Sequence, residues 1–490
     1  MSNETPRPNF SNHYDLLVVG GGINGAAIAN TAALNGLKTA LIEKGDFASG
    51  TSSKSTKLIH GGLRYLENLE FGLVREALRE RAIQLHSAPH LVKPLKFVLP
   101  VYDTDRRPFW MIRLGVTFYD ALSGKFLIKK HQTIAREAIL EQIPSLKEKG
   151  LVGAVSYYDA QMDDARLCLE NVLMAKAQGA DVANYVEAKE FIKDNNKVIG
   201  LKAWDLLEKK FIEIKAKKVV CALGPWTAQK SVRTTKGVHI VYRGRIAKDA
   251  LIFPTFQDNR VLFAIPWMGN SLIGTTDTDF SGTPDQAKVE EADIDYLFKE
   301  LTRVFPDQDF EHKNIITTFA GLRPLVQSHK SGAPSTVSRK HVIEENKEGV
   351  MSVMGGKYTT YRKIAEDVIE RILKQKPKDT TKIYPLYGFI KDESPPVISS
   401  DDVDPRVVKF LIDFYGTRYR DVLELINNDA TLKQPICSCS SIIRAQVVYA
   451  IKNEMACTAD DIIWRRLPLA YLDCPTKHCH TEVKKFFAHL

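Results

Sequence analysis

Three glycines and one acid define the first chemistry open to this chain. Gly20-x-Gly22-x-x-Gly25 follows the apolar, β-rich run 14–19 directly, and a helical pattern opens at 26–29. In such a turn the first glycine permits the tight bend, the second lets backbone approach a pyrophosphate, and the third lets helix and strand pack closely. The helix start adds free N–H groups and about half a unit of positive charge. Glu43 stands 23 residues after Gly20, at the end of a second strand-like run over 39–42. A carboxylate there can hold both hydroxyls of a ribose, and it argues against a 2′-phosphorylated dinucleotide.

Two further turns decide which dinucleotide. The stretch 50–65 is too rich in hydroxyls and glycine for an ordinary helix and reads as backbone laid along a long ligand; it holds Ser52, Ser53, Thr56, Leu58, His60, Gly61 and Gly62. The run 218–222 ends at Ala222, ahead of Gly224 and Trp226, and Gly355-Gly356-Lys357 leads through Thr359 into another helical pattern. Three cofactor-like turns spread along the chain suit an extended FAD better than a compact NAD site.

The rest of the composition sets bounds. At 490 residues the chain is long enough for several domains with a large core, and 44% apolar with 26% charged residues is an ordinary globular balance. A net charge of +9 is too mild for a protein that coats nucleic acid, so no nucleic-acid partner is expected. Seven cysteines, none before Cys168, argue against a secreted disulfide framework and for a reducing compartment. The N-terminus shows no secretory pattern. The uncharged stretch 16–37 carries Gly20, Gly21, Gly22, Gly25 and Gly36, which fits strand, turn and helix better than a bilayer span.

Over nearly its whole length the sequence resembles the FAD-dependent glycerol-3-phosphate dehydrogenases, within the flavin-linked amine and hydroxyl oxidoreductases. The resemblance rests on STKLIHGGLRYLE (55–67), DDAR (163–166), KGVH (236–239), IPW (265–267), GTTD (274–277), GLRPL (321–325), Ser338-Arg339, and GGK with TTYR (355–362). Ala27, Thr31 and Asn35 depart from the family's usual glycine, aspartate and arginine, past the phosphate turn, where only helix packing should change.

The resemblance implies oxidation of sn-glycerol 3-phosphate to dihydroxyacetone phosphate, with hydride passing from C2 to flavin N5. Such a site needs cations for a dianionic phosphate, an acceptor for the C2 hydroxyl proton, and positive charge near the flavin pyrimidine. Arg323 and Arg339 are the phosphate-clamp candidates, because guanidinium forks bind phosphate bidentately and keep their charge. Arg64 and Tyr65 match residues lining the family's substrate pocket, and Arg64 is counted with His239 and Arg323 among the catalytic candidates. His239 is the favoured proton acceptor, with Arg323 and His60 as competing participants; Arg323, held charged, is assigned to polarising the hydroxyl. Lys357 can reach phosphate or flavin from a turn that aims a helix start at the pyrimidine end. The resemblance adds Val186 to the cofactor contacts.

The expected fold class is α/β. A discontinuous Rossmann-like FAD-binding domain takes 12–92, 151–230 and 340–385, an antiparallel-sheet substrate domain takes 93–150 and 231–339, and a C-terminal helical domain takes 397–490. Residues 391–396 read as a linker, and 404–427 and 441–467 carry helical patterning. Residues 106–130 hold six cations against Asp120, a local +5, interleaved with Phe109, Trp110, Phe118, Tyr119 and Phe126. That fits an anionic membrane surface as well as it fits a basic surface with aromatics packed inward. Cys437-x-Cys439 lacks the usual spacing of structural zinc ligands, so neither it nor the run Cys474, His478, Cys479, His480 is assigned a metal. The partners implied are glycerol 3-phosphate, dihydroxyacetone phosphate, a quinone and the cytoplasmic face of the cell membrane; a homodimer is left open. A glycerol-3-phosphate oxidase using oxygen and a non-catalytic flavin-binding protein at the membrane are the alternatives.

Overall fold

The computed structural model describes residues 7–10, 13–67, 69–227, 232–258, 260–326, 341–389 and 403–489. Arg339 and the expected linker at 391–396 lie outside them. The fold is α/β, with two large sheets and a helical C-terminal region.

The strand Tyr14–Val19 sits at the centre of the first sheet, parallel to Thr39–Ile42 on one side and to Lys210–Cys221 on the other. Asp181–Ala183 and Val350–Gly355 extend the parallel set outward. Its strands are buried on both faces, which is why Leu16, Leu17 and Val18 form a continuous apolar run instead of alternating. The helix Ile23–Leu34 covers one face and packs on Asp164–Ala177 and Tyr361–Leu373. Asn35, one of the departures from the family pattern, follows that helix and takes hydrogen bonds to the backbone at 378–379.

The second sheet has ten strands and is almost wholly antiparallel. Val232–Tyr242 pairs with Ile315–Val326 and with Asn270–Gly274, and Val261–Trp267 pairs with Asn270–Gly274. Leu58–Ile59 and Leu151–Met162 hydrogen-bond into this sheet, although both fall in segments expected for the FAD-binding unit. Their partner is Val92–Tyr102 and its neighbours, so chain segments and sheets do not coincide.

The C-terminal helices are Pro405–Tyr415, Tyr419–Asn428, Arg444–Lys452 and His478–His489. The patterned stretch 404–427 is therefore two helices, broken at Gly416–Arg418, where Gly416 takes a φ of +58°. Buried charge joins this region to the first sheet. Arg466 donates two hydrogen bonds of 2.7 Å to Asp46, Arg465 adds another, and Arg166 pairs with Glu454. Burial alone would raise the Asp46 pKa, but the two guanidiniums outweigh it and hold the carboxyl at about 2. Among the described residues no helix is long and apolar enough to cross a membrane.

Candidate active site

A cavity of about 630 Å³ runs from the C-terminal ends of the first sheet's strands to the face of the second sheet. Gly20, Gly22 and Glu43 line one end, and His239, Arg323, Tyr65 and Lys357 line the other. The lining also holds Ser52, Thr56, Leu58, His60, Val186, Ala222, Gly224, Trp226, Gly355, Gly356 and Thr359, all of them sequence candidates.

The dinucleotide end is built by backbone. Gly20 has a φ of +108°, and a Cβ there would meet the Ala222 carbonyl oxygen at 2.5 Å. A Cβ on Gly25 would stand 1.8 Å from the Gly20 carbonyl oxygen, so this glycine seats helix on strand and is not itself in the lining. Glu43 accepts from the Gly21 and Gly45 amides at 2.6 and 2.8 Å, which points its carboxylate at the turn. Burial pushes its pKa up against the pull of those two amides. Ser52 Oγ accepts from the Ile23 amide at 2.9 Å and so caps the phosphate-turn helix. An acid, glycine backbone and a helix start together at one end of a long cleft, with glycines again at Gly355-Gly356 further along it, fit an extended FAD.

Strand register builds the other end. Thr235 lies opposite Arg323, Gly237 opposite Gly321 and His239 opposite Phe319, so the alternation of strands puts Gly237, His239, Gly321 and Arg323 on one face. The two glycines leave the floor low. Arg323 donates to Thr275 Oγ1 at 2.8 Å, Asp277 Oδ1 at 3.0 Å and the Thr276 carbonyl at 3.3 Å. His239 stacks on Phe319 with ring centroids 5.0 Å apart, and its Nε2 is 2.9 Å from Thr56 Oγ1. Burial, and then the charges of Arg323 and Lys57, hold its pKa well below the ordinary 6.5. The imidazole is therefore neutral near pH 7 and can accept a proton. The Lys357 ammonium lies 3.5 Å from the centroid of the Tyr65 ring.

Lys57 is the residue that sequence reasoning missed. It is fully buried, pairs with Asp164 through a short ion pair, donates to the Ser53 carbonyl at 2.8 Å, and faces the rings of Phe319 and Tyr471. Burial pushes its pKa down, but Asp164 more than reverses this and the ammonium stays charged. Lys57 lies within the STKLIHGG string and Asp164 within DDAR, but nothing in the sequence says that they meet. Lys54 also lines the cavity as an unassigned cation.

Several candidates sit elsewhere. Arg64 is half-buried on the 3₁₀ turn Leu63–Leu66 and is outside the lining, because that turn presents Tyr65 to the cavity instead. Gly61 is packed under Leu78 and donates to the Tyr119 hydroxyl; Gly62, at φ +78°, lies against the Tyr65 ring. These glycines shape the loop and do not line the cleft. Ser53 acts through its carbonyl on Lys57.

Comparison with known proteins agrees with this geometry. The model of the FAD dependent oxidoreductases matches residues 15–362, and that of the C-terminal domain of alpha-glycerophosphate oxidase matches 351–488. The chain belongs to the FAD-dependent oxidoreductase family and, within it, to the glycerol-3-phosphate dehydrogenases. It is 38% identical to the glycerol-3-phosphate dehydrogenase of Synechocystis, over 93% of this chain and 89% of that one. Identity to the aerobic glycerol-3-phosphate dehydrogenase of Staphylococcus haemolyticus is 34%, over 99% and 91%. The crystal structure of the Bacillus halodurans glycerol-3-phosphate dehydrogenase complexed with FAD superposes with a TM-score of 0.80 at 30% identity, covering 98% of this chain and 91% of that one.

Proposed function

We propose that the chain oxidises sn-glycerol 3-phosphate to dihydroxyacetone phosphate. The observation that carries this reading is the pairing, on one face of the second sheet, of a neutral buried His239 with a tethered Arg323 at the end of the dinucleotide cleft. Gly20, Gly22, Glu43, Ser52, Ala222, Gly224 and Gly355-Gly356 would hold FAD, and bound FAD supplies an acceptor for the hydride leaving C2. The chain's own residues do the rest. Arg323 and Lys357 hold the phosphate dianion, and Arg323 keeps its charge whatever the pH of the cell. An unprotonated ring nitrogen of His239 takes the C2 hydroxyl proton, so the alcohol loses H⁺ to the protein as its hydride leaves. Burial first, and then the charges of Arg323 and Lys57, keep His239 from resting as imidazolium.

The division into FAD-binding segments 12–92, 151–230 and 340–385, substrate segments 93–150 and 231–339, and a helical unit 397–490 is part of the same reading. So is passage of electrons to a quinone at the cytoplasmic face of the cell membrane. The helix Phe109–Ser123 buries Val116 and Tyr119 but exposes Trp110, Met111, Leu114 and Phe118. Leu69 and Phe71 are exposed as well, and Arg106, Arg113, Lys125, Lys129 and Lys130 supply exposed or half-exposed cations beside them. An apolar helix face with a cationic rim suits anionic headgroups.

The test is anaerobic: on mixing with glycerol 3-phosphate, the flavin band at about 450 nm should bleach. Glycerol or an amino acid at equal concentration should leave it intact. Bleaching by an amino acid and not by glycerol 3-phosphate would sink the assignment.

A further inference from the structure

Four of the seven cysteines, from distant points of the C-terminal region, converge on one spot. Cys437 and Cys439 lie on the segment before the helix Arg444–Lys452, Cys474 just ahead of the helix His478–His489, and Cys479 in that helix's first turn. The Sγ atoms of Cys437 and Cys474 are 3.7 Å apart, and those of Cys437, Cys439 and Cys474 all lie within 4.8 Å of one another. Cys479 adjoins this trio: its amide donates to Cys474 Sγ at 3.3 Å, while its own sulfur stands beyond 4.8 Å from at least one of the three and would close on a shared ion as the fourth ligand. Cys479 is buried and the other three are half-buried.

We propose that Cys437, Cys439, Cys474 and Cys479 form a tetrahedral four-thiolate site for one thiophilic divalent cation, zinc by preference. Four sulfurs each about 2.3 Å from one ion stand roughly 3.8 Å apart at the corners of a tetrahedron. The Cys437–Cys474 separation matches that spacing. A disulfide would bring two sulfurs to about 2.05 Å and leave the other two without a role. A two-iron cluster divides its cysteines between two metals and spreads the two pairs, whereas three sulfurs mutually within 4.8 Å centre on a single ion.

The surroundings suit a dianionic centre of four thiolates and one dication. The Cys479 amide donates to Cys474 Sγ at 3.3 Å, and the start of the helix His478–His489 faces the cluster with its positive end. Binding exchanges thiol protons for the cation and releases them to solvent; no electron moves. Cys437-x-Cys439 by itself lacks the usual spacing of structural zinc ligands, and 34 residues of chain separate it from Cys474. The fold supplies Cys474 and Cys479 on the other side.

The ion would join two segments of the C-terminal region. It would also anchor the short turn Pro468–Tyr471, which ends three residues before Cys474 and buries Tyr471 against Phe319 and Lys57. The site thus braces the layer on which His239 stacks, from outside the cleft.

The experiment is metal analysis of the FAD-loaded, full-length protein by plasma mass spectrometry, with acid-labile sulfide measured in parallel. About one zinc, or one iron without labile sulfide, per chain is expected. A mercurial titrated to four equivalents of thiol should release that metal, seen with a zinc dye, and Cys474→Ser and Cys479→Ser should purify with under about a tenth of it. Where the variants fail to fold, growth of the wild type on cobalt should give the intense visible bands of a tetrahedral cobalt thiolate. Absence of metal with four freely titrating thiols, a disulfide between any two of the four, or two irons with labile sulfide would each overturn the proposal.

Discussion

Replacing Gly237 by Ala puts one methyl group against the Arg323 guanidinium. Built on the native backbone, its Cβ stands 2.3 Å from Arg323 Nη2 and 2.6 Å from Cζ and Nη1. Ordinary contact begins near 3.4 Å, so the guanidinium must retreat by about 1 Å. It cannot do so and keep its 2.8 Å bond to Thr275 and its 3.0 Å bond to Asp277. The displaced group is the far end of a flexible side chain, and Gly237 is a strand residue without a positive φ, so the fold should absorb the change. A misplacement of about 1 Å at a positioning group costs on the order of 100-fold in rate, or about 2.7 kcal/mol. The assay is stopped-flow flavin reduction over a range of glycerol 3-phosphate concentrations, with Tm measured alongside. The expected result is kcat/KM lowered about 100-fold, with KM raised, and Tm within a few degrees of wild type. An unchanged kcat/KM would mean that Arg323 does not need its observed position.

Other outcomes follow from the same geometry. His239 is held neutral far below pH 6.5, so the rate of flavin reduction should stay flat as pH falls from about 7.5 to 6; an acid limb with its midpoint near 6.5 would show an unperturbed imidazole. Asp46→Asn leaves Arg465 and Arg466 buried without their carboxylate, and urea denaturation should show a loss of about 3–5 kcal/mol. Because the Asp46 pKa is depressed to about 2 in the folded chain, its contribution is full above about pH 5 and is lost as pH falls from its unfolded value near 3.9 toward 2. Glu43→Gln should weaken FAD retention about 10- to 100-fold on gel filtration with little change in Tm of the apoprotein; equal retention would remove Glu43 from the ribose.

The parts of the site made by local chain geometry were legible in the sequence. The glycine turn and Glu43 lie within one strand–turn–helix–strand unit, so their spacing carried the answer, and both line the cleft. Gly355-Gly356 could be read for the same reason. Lys57 could not. Its role depends on Asp164, 107 residues away, and on the rings of Trp267, Phe319 and Tyr471 from three other segments, and without them a lysine reads as a surface residue. Arg64 shows the reverse case: its motif was recognisable, but which of two adjacent side chains on a 3₁₀ turn enters the cavity is a matter of local conformation that the string does not encode. Gly237 and Gly321 appeared inside quoted motifs, yet their use as the low floor between His239 and Arg323 follows from strand register, which only pairing reveals. The aromatic residues of 106–130 divide between the two readings, with Tyr119 buried on Asp159 and Trp110 and Phe118 turned outward.

The reaction proposed for this cleft is removal of a hydride and a proton from the C2 carbinol of a phosphorylated triol. A single anaerobic turnover of the FAD-loaded protein with glycerol 3-phosphate tests it most directly, with product and flavin followed together. One dihydroxyacetone phosphate should form for each flavin reduced, and deuterium at C2 should slow the reduction. Flavin reduction without dihydroxyacetone phosphate, or none at all with the phosphorylated substrate, would contradict the account.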